Sequence, residues 1–408
     1  MVTIDGIRMS EFLQWNQRLL QWTDSLGAYL PYVYNETRGK TDPNHTILFG
    51  CGDPGFCNNM EGHPANPMLP ELLRHQRGYP ESAVVIVSGK WHLLAATIYS
   101  QHPDYGIAFQ ACTLYVKSPP IPCLCLPVYE GPDSLIMARA ISHLNENDVK
   151  WMGINLSEYD FLAHIQGMQC CEFDTACYWD RLKTVYEEAE HQIIDVLWPF
   201  LQSHCYYSGK TLLVICTDHG RHLDDVEQGF LDHGHGWLPG HLECAQNCSG
   251  CRDIWAIFIG PGILRGITSS NTYAIEDIAP TIRYLMGFDN PFEEGLPIEE
   301  IIDEDTSRSS LSRLAQNLLI MEPGRPNPFY SSTTVRYLVP QALPIEVRIY
   351  DVQGRQIWTS GLTRQSTGWH NFTWYGEDEN CGMAPPGIYY LGFHSEQKYQ
   401  AQKLTLLR

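Results

Sequence analysis

Apolar positions along the chain fall into two textures. Over residues 1–305 they form short unbroken runs separated by helical stretches. Val84-Val85-Ile86-Val87, Trp151-Met152-Gly153-Ile154-Asn155-Leu156, Thr211-Leu212-Leu213-Val214-Ile215-Cys216 and Ile254-Trp255-Ala256-Ile257-Phe258-Ile259 are such runs. Continuous apolar strands are buried on both faces, as in a parallel sheet. Between them, residues 178–204 place Leu182, Val185, Ala189, Ile193, Val196 and Leu197 at helical spacing. The pattern predicts an α/β domain with a mostly parallel sheet and flanking helices over 1–305. The stretch 306–326 carries Ser, Arg, Asn, Pro and Gly and reads as a short helix and linker. From 327 to 408 the pattern becomes short alternating segments. These are Thr334–Val339, Ile345–Tyr350, Gln356–Thr359, His370–Trp374, Ile388–Phe393 and Ala401–Leu407, with turn signals at Asp351-Val352-Gln353-Gly354 and Pro385-Pro386-Gly387. That spacing predicts a small β-sandwich.

The length, 408 residues, suits one large domain and a smaller one. Lys and Arg number 27 against 47 Asp and Glu, a formal net charge of −20. Binding to a nucleic-acid duplex is not expected of so acidic a chain, because phosphate contacts need Lys and Arg. A small anionic substrate needs locally concentrated positive charge, which points to bound metal. No apolar run reaches the length of a membrane span. No signal peptide is visible, and the abrupt opening on Met1-Val2-Thr3-Ile4 suggests a processed or trimmed N-terminus.

Fourteen cysteines are many for a cytosolic enzyme. Those clustered in loops (Cys51 and Cys57; Cys123 and Cys125; Cys170, Cys171 and Cys177; Cys244, Cys248 and Cys251) read as disulfides of an oxidising compartment. Cys112 and Cys216, inside apolar runs, read as buried thiols. The last cluster has a second reading, as zinc ligands with a nearby His.

Acidic and histidine side chains follow several expected strands, where open α/β sheets place their ligands. Asp5 follows Val2-Thr3-Ile4. Asp160 and His164, one helical turn apart, follow the strand ending near Leu156. Asp218 and His219 follow Cys216. With one His from 233, 235 or 241, these make six oxygen and nitrogen ligands. Six suit two divalent ions, and such ligands favour Zn²⁺ over Mg²⁺. A metal pair stabilises the entering and leaving oxygens of an in-line displacement. Thr41-Asp42-Pro43-Asn44-His45-Thr46 offers a hydroxyl in a Pro-containing turn as a nucleophile.

The ordered set Thr3-Ile4-Asp5-Gly6, Thr41-Asp42-Pro43-Asn44-His45, Asp160 to His164, Thr217-Asp218-His219-Gly220 and a later His-Gly pair resembles the alkaline phosphatase superfamily. Within it, the type I phosphodiesterase/nucleotide pyrophosphatase branch is the most similar. Asp277-Ile278-Ala279-Pro280-Thr281 and Gly295-Leu296-Pro297 fit as well. The resemblance implies a hydrolase of small phosphoesters, a phosphodiesterase, nucleotide pyrophosphatase or phosphatase. It implies Thr41 as nucleophile, carrying the phosphoryl group as a phospho-threonine. Asp160, His164 and a later His would hold one zinc. Asp5, Asp218 and His219 would hold the other, with Thr41 bridging toward it. His233, at the family-like offset from Phe230, is preferred to His235 and His241. Asn59, preferred to Asn58, would donate to a phosphoryl oxygen. The Cys-x-Pro-x-Arg context of sulfatases is absent around Cys51 and Cys57. Residues 327–408, with Tyr350-Asp351-Val352-Gln353-Gly354-Arg355, Gly368-Trp369-His370 and Pro386-Gly387-Ile388-Tyr389-Tyr390, resemble Ig-like C-terminal sorting domains of type IX secretion cargo and related hook-capping modules. That likeness implies a bacterial protein exported to the cell surface or medium, with a partner in the secretion machinery or at the surface. The rival expectation is a non-catalytic surface protein that reuses the fold as a scaffold, its Ig-like domain mediating assembly.

Overall fold

The computed structural model describes the chain except residues 16–17, 36–38, 118–130, 165–168, 170, 223–232, 234–247, 293, 304–319, 322–323, 340–342, 366–367, 380–381, 396–397 and 408. The chain divides into two compact units, Met1–Ser307 and Arg308–Arg408.

The first unit is built on a nine-stranded sheet. Its strands are β1 (Val2–Ile4), β2 (Gly27–Tyr34), β3 (Val84–Ser88), β4 (Cys112–Tyr115), β5 (Trp151–Leu156), β6 (Leu213–Cys216), β7 (Asp253–Ile259), β8 (Ile267–Thr268) and β9 (Tyr273–Ala274). The order is β4-β3-β5-β1-β6-β7-β2-β8, with β9 also on β2. Pairing is parallel from β4 through β6. β7 runs antiparallel to both its neighbours, β6 and β2. The sheet is therefore mixed and mostly parallel. The apolar run of β7 is no guide to direction, because burial on both faces writes the same pattern either way. Helices cover both faces, and β3, β5 and β6 are buried along their whole length. The predicted helix over 178–204 is observed as Thr175–His191, a π-turn over Gln192–Leu197 and Trp198–Ser203. Asp174 caps it by accepting from the Ala176 and Cys177 amides.

The central strands β5, β1 and β6 lie side by side and parallel, so their C-terminal ends open on one edge of the sheet. The segments carrying Asp160, Asp5 and Asp218 leave from those ends. Gly6 makes the turn after β1. Its φ of +75° suits glycine, and a Cβ there would sit 2.4 Å from Asp160 Oδ1.

The second unit contains two antiparallel sheets. β10 (Ile320–Met321), β11 (Thr333–Val339) and β14 (Gly368–Trp374) form one. β12 (Leu343–Asp351), β13 (Gln356–Gln365), β15 (Gly387–Ser395) and β16 (Lys398–Leu406) form the other. Phe329, Val335, Tyr337, Ile349, Trp374, Leu391, Phe393 and Leu404 share one core, so the sheets pack as a sandwich. β10 falls inside 306–326, so the end of the expected linker is a paired strand that adds to β11.

The cysteines follow the sequence expectation in part. Cys171 and Cys177 are bonded. Cys216 is buried and unbonded, as expected, and Cys112 is half-buried. Cys51 and Cys57 do not pair. Cys51 turns into the core, its thiol on the Gly52 carbonyl, whereas Cys57 is exposed. Cys123, Cys125, Cys170 and Cys244 lie outside the described residues.

Candidate metal and nucleophile site

Thr41 opens the helix Thr41–Leu48, all of whose residues are buried. The sequence reading of Thr41–Thr46 as a turn is thus corrected. Pro43 falls in the first helical turn, where its missing N–H would have no intrahelical partner anyway. The helix start sets Thr41 Oγ1 3.3 Å from His219 Nε2 and 3.3 Å from Lys90 Nζ. Asn59 and Met60 are folded back on this helix. Asp42 donates its N–H to Asn59 Oδ1 (2.9 Å), and Met60 donates its N–H to Asp42 Oδ2 (2.9 Å). Asn59 therefore lies beside Thr41 in space, whereas Asn58 donates to Glu61 on the exposed side.

The six expected ligands converge. Asp160, His164 and His233 bring one ligand atom each into a cluster within 4.8 Å of one another, and Asp5, Asp160 and His219 form a second cluster. His233 Nε2 is 3.5 Å and His164 Nε2 3.6 Å from Asp160 Oδ1. His219 Nε2 is 3.5 Å from Asp5 Oδ1 and 3.3 Å from Asp218 Oδ2. The imidazoles of His219 and His233 stack at 3.9 Å. Asp160 thus stands between the two groups. His235 and His241 lie outside the described residues.

The donor set fits divalent metal. His219 Nδ1 donates to the Gly220 carbonyl (3.0 Å) and His233 Nδ1 to the Gly39 carbonyl (2.6 Å). Each ring is thereby oriented with Nε2 toward the carboxylates, the usual arrangement behind a ligating histidine. Among the described residues, Asp5 Oδ1, Asp160 Oδ1 and Asp218 Oδ2 are buried with no hydrogen-bond donor, and His45 Nε2 is buried with no hydrogen-bond partner. Buried carboxylate oxygens left this way are costly, and cations satisfy them. Burial, followed by the neighbouring charge of Asp218, raises the carboxyl of Asp5 above its ordinary range. Burial acts the same way on Asp160, but the Lys90 ammonium and the nearby histidines outweigh it and hold that carboxyl well below. Burial, helped by His219, keeps His233 neutral, the form that can ligate metal.

Several contributors were not singled out in the sequence. Lys90 Nζ lies 2.6 Å from Asp160 Oδ2 and 2.9 Å from Asp5 Oδ2. It sits two residues past β3, so the strand-end rule that found the carboxylates also covers it. His45 Nδ1 lies 2.9 Å from the Thr41 carbonyl and 3.3 Å from Asp218 Oδ2. Asn35 and Asn44 both donate to the Asp218 carbonyl. Asn155 donates to Asp5 Oδ2.

Beneath the ligands lies a buried ion network. Glu11 accepts from the Arg8 side chain, from Arg221 and from the Tyr159 hydroxyl. Arg8, Tyr159 and Arg221 each stand within three residues of a candidate ligand. One carboxylate thus ties together the three segments that leave β1, β5 and β6.

Residues 331–398 match the family model of the FlgD Ig-like domain. No curated protein sequence matches the chain. Among solved structures, an alkaline phosphatase PafA variant superposes with a TM-score of 0.50 at 12% identity, covering 74% of this chain and 98% of that one. Murine ectonucleotide pyrophosphatase/phosphodiesterase 5 gives a TM-score of 0.45 at 12% identity, covering 74% and 98%. PorZ of Porphyromonas gingivalis, described as a surface component of the type IX secretion system, gives 0.18 at 18% identity, covering 24% and 12%. The chain therefore shares the fold of an alkaline phosphatase and, over residues 331–398, resembles the FlgD Ig-like domain.

Proposed function

We propose that the first unit is a two-zinc phosphoester hydrolase with Thr41 as its nucleophile, acting on phosphodiesters, nucleotide pyrophosphates or phosphomonoesters. The observation that carries this reading is the meeting of Thr41 Oγ1 with His219 at 3.3 Å, beside buried carboxylate oxygens that have no donor among the described residues. Asp160, His164 and His233 would hold one ion, and Asp5, Asp218 and His219 the other. Bound there, the ions would supply positive charge that favours loss of the Thr41 hydroxyl proton and offsets charge on the phosphoryl group. Thr41 Oγ1, its proton lost to solvent, attacks phosphorus; its bond to phosphorus forms as the bond to the leaving oxygen breaks, that oxygen takes a proton from water, and a second water later hydrolyses the phospho-threonine, releasing the phosphoryl product and restoring the Thr41 hydroxyl. Asn59, held against the start of the Thr41 helix, donates to a phosphoryl oxygen. Lys90 adds a buried cation at the same place. The second unit, from its family likeness, serves export to the surface or medium of a bacterial cell and meets a secretion or surface partner there.

Thr41→Ala should lose on the order of 10³-fold or more in turnover of a chromogenic phosphodiester, the scale of nucleophile removal. It should keep its metal, because the six ligands remain. Thr41→Ser should retain measurable activity. Rapid quench of a labelled substrate should leave label on the peptide containing residue 41. Normal turnover by Thr41→Ala, or label on Thr46, would overturn the assignment.

A further inference from the structure

A second cluster of ligand atoms lies outside the site just described. His222, Cys248 and Cys251 bring Nδ1 and two Sγ atoms within 4.8 Å of one another. His222 Nδ1 is 3.2 Å from Cys248 Sγ and 3.3 Å from Cys251 Sγ. Tetrahedral zinc with ordinary Zn–S and Zn–N bonds holds its nitrogen and sulfur ligands about 3.6 Å apart. The observed spacing therefore needs only a few tenths of an ångström of opening to admit the ion. Cys248 and Cys251 have the Cys-x-x-Cys spacing typical of such sites. Sulfur and imidazole donors select zinc among the common divalent ions.

The surroundings hold these groups in place. The Gly220 amide donates to the Cys251 carbonyl at 3.0 Å. A Cβ on Gly220 would lie 2.0 Å from the Gly250 carbonyl, so only glycine permits this approach of the two segments. Arg8 Nη1 donates to the His222 carbonyl, and Arg252 Nε to the Asn35 carbonyl. Cys251 is fully buried.

We propose that His222, Cys248 and Cys251 bind a structural zinc ion, separate from the hydrolytic site, that ties the segment leaving β6 to the helix Ser249–Arg252 ahead of β7. Both thiols lose their protons to solvent on binding, and no oxidant or reductant is involved. The proposal stands apart from the phosphoryl-transfer reading, since that site offers only oxygen and nitrogen ligands.

The test uses the full chain purified without reductant. A mercurial that attacks thiolates is added in the presence of a zinc-sensitive dye. One zinc per chain should be released, because oxygen and nitrogen sites do not react with mercury. Cobalt exchanged into the protein should show a thiolate-to-cobalt charge-transfer band in the near ultraviolet. That band should vanish in Cys248→Ser/Cys251→Ser while the visible bands of cobalt at the hydrolytic site persist. No zinc release from the wild-type protein, or a Cys248–Cys251 disulfide found by mass spectrometry, overturns the proposal whether or not the variants fold.

Discussion

Asp218 works with both its side chain and its backbone. Its carbonyl accepts from Asn35 and Asn44, its Oδ1 from the Gly6 amide, and its Oδ2 faces His219 and His45. Burial alone would raise this carboxyl, but His219 and His45 outweigh it and lower it, so it is charged and ready for a cation. Asp218→Asn keeps the volume and removes the charge. It should lose one of two metals by elemental analysis. Turnover should fall at least about 100-fold, the scale of losing one electrostatic contact to a transition state. Full activity in this variant would sink the two-metal reading. The cysteines offer a second check on individual residues. Burial pushes the thiols of Cys51 and Cys216 up to about 12, so neither forms thiolate at neutral pH. Iodoacetamide should label exposed Cys57 and Cys205 in the native protein and spare Cys51 and Cys216, as read by peptide mass spectrometry. With Cys171 and Cys177 bonded, thiol titration of the denatured, unreduced chain should find fewer than the 14 present in the sequence.

Glu11 shows how elements are joined beneath the site. It sits on the helix Met9–Trp15 that follows β1, and it is buried against Arg8, Arg221 and Tyr159. Removing one partner of a buried ion pair leaves the other charge uncompensated. Glu11→Ala should therefore cost about 3–5 kcal/mol, read as a lower denaturant midpoint. Because the network joins the segments after β1, β5 and β6, metal retention should weaken too, measured by competition with a chelator. Unchanged stability would mean that water compensates Arg221 after the substitution. β7 teaches a different lesson about elements. Its apolar run marks it as a buried strand, yet its direction is set by the pairing Leu213↔Ile259, which no local pattern records.

The two units have separate cores, and the small one depends on Trp374. That side chain is fully buried, packs on Phe329 and Tyr389, and donates its indole N–H to the Glu377 carbonyl. Trp374→Ala should cost the second unit about 3–5 kcal/mol, the usual range for a buried tryptophan. Hydrogen exchange should quicken in β11, β12, β14, β15 and β16 and stay unchanged in β1, β5 and β6. Exchange that quickens in both units would show that they do not fold independently. Among the described residues, no helix is long and apolar enough to cross a membrane.

Strands β1, β3, β5, β6 and β7 and their ends were legible because local rules carry them, whereas β2, β4, β8 and β9 were not read. A β-branched run such as Val84–Val87 has few ways to be buried other than as a strand. An Asp or His just past such a run is then placed at the sheet edge whatever else the chain does. So Asp5, Asp160, His164, Asp218 and His219 could be gathered from the sequence, and their convergence follows from the adjacency of β5, β1 and β6. The sandwich strands β11 to β16 were equally plain, since alternation and turn residues mark them, whereas β10 fell inside the expected linker. Which side chains pair away from the strand ends was not legible: the Glu11 network joins residues up to 210 positions apart. Pairing partners at such distances depend on how the sheet is ordered and on which faces meet. The same holds for the unpaired state of Cys51 and Cys57. Their closeness in sequence suggested a bond, but the helix beginning at Thr41 carries Cys51 into the core and leaves Cys57 in solvent. Short-range chemistry, periodicity and turn residues are written locally and survive any packing. Neighbours, burial and charge balance arise only when the segments are assembled, because each depends on atoms that the local sequence does not contain.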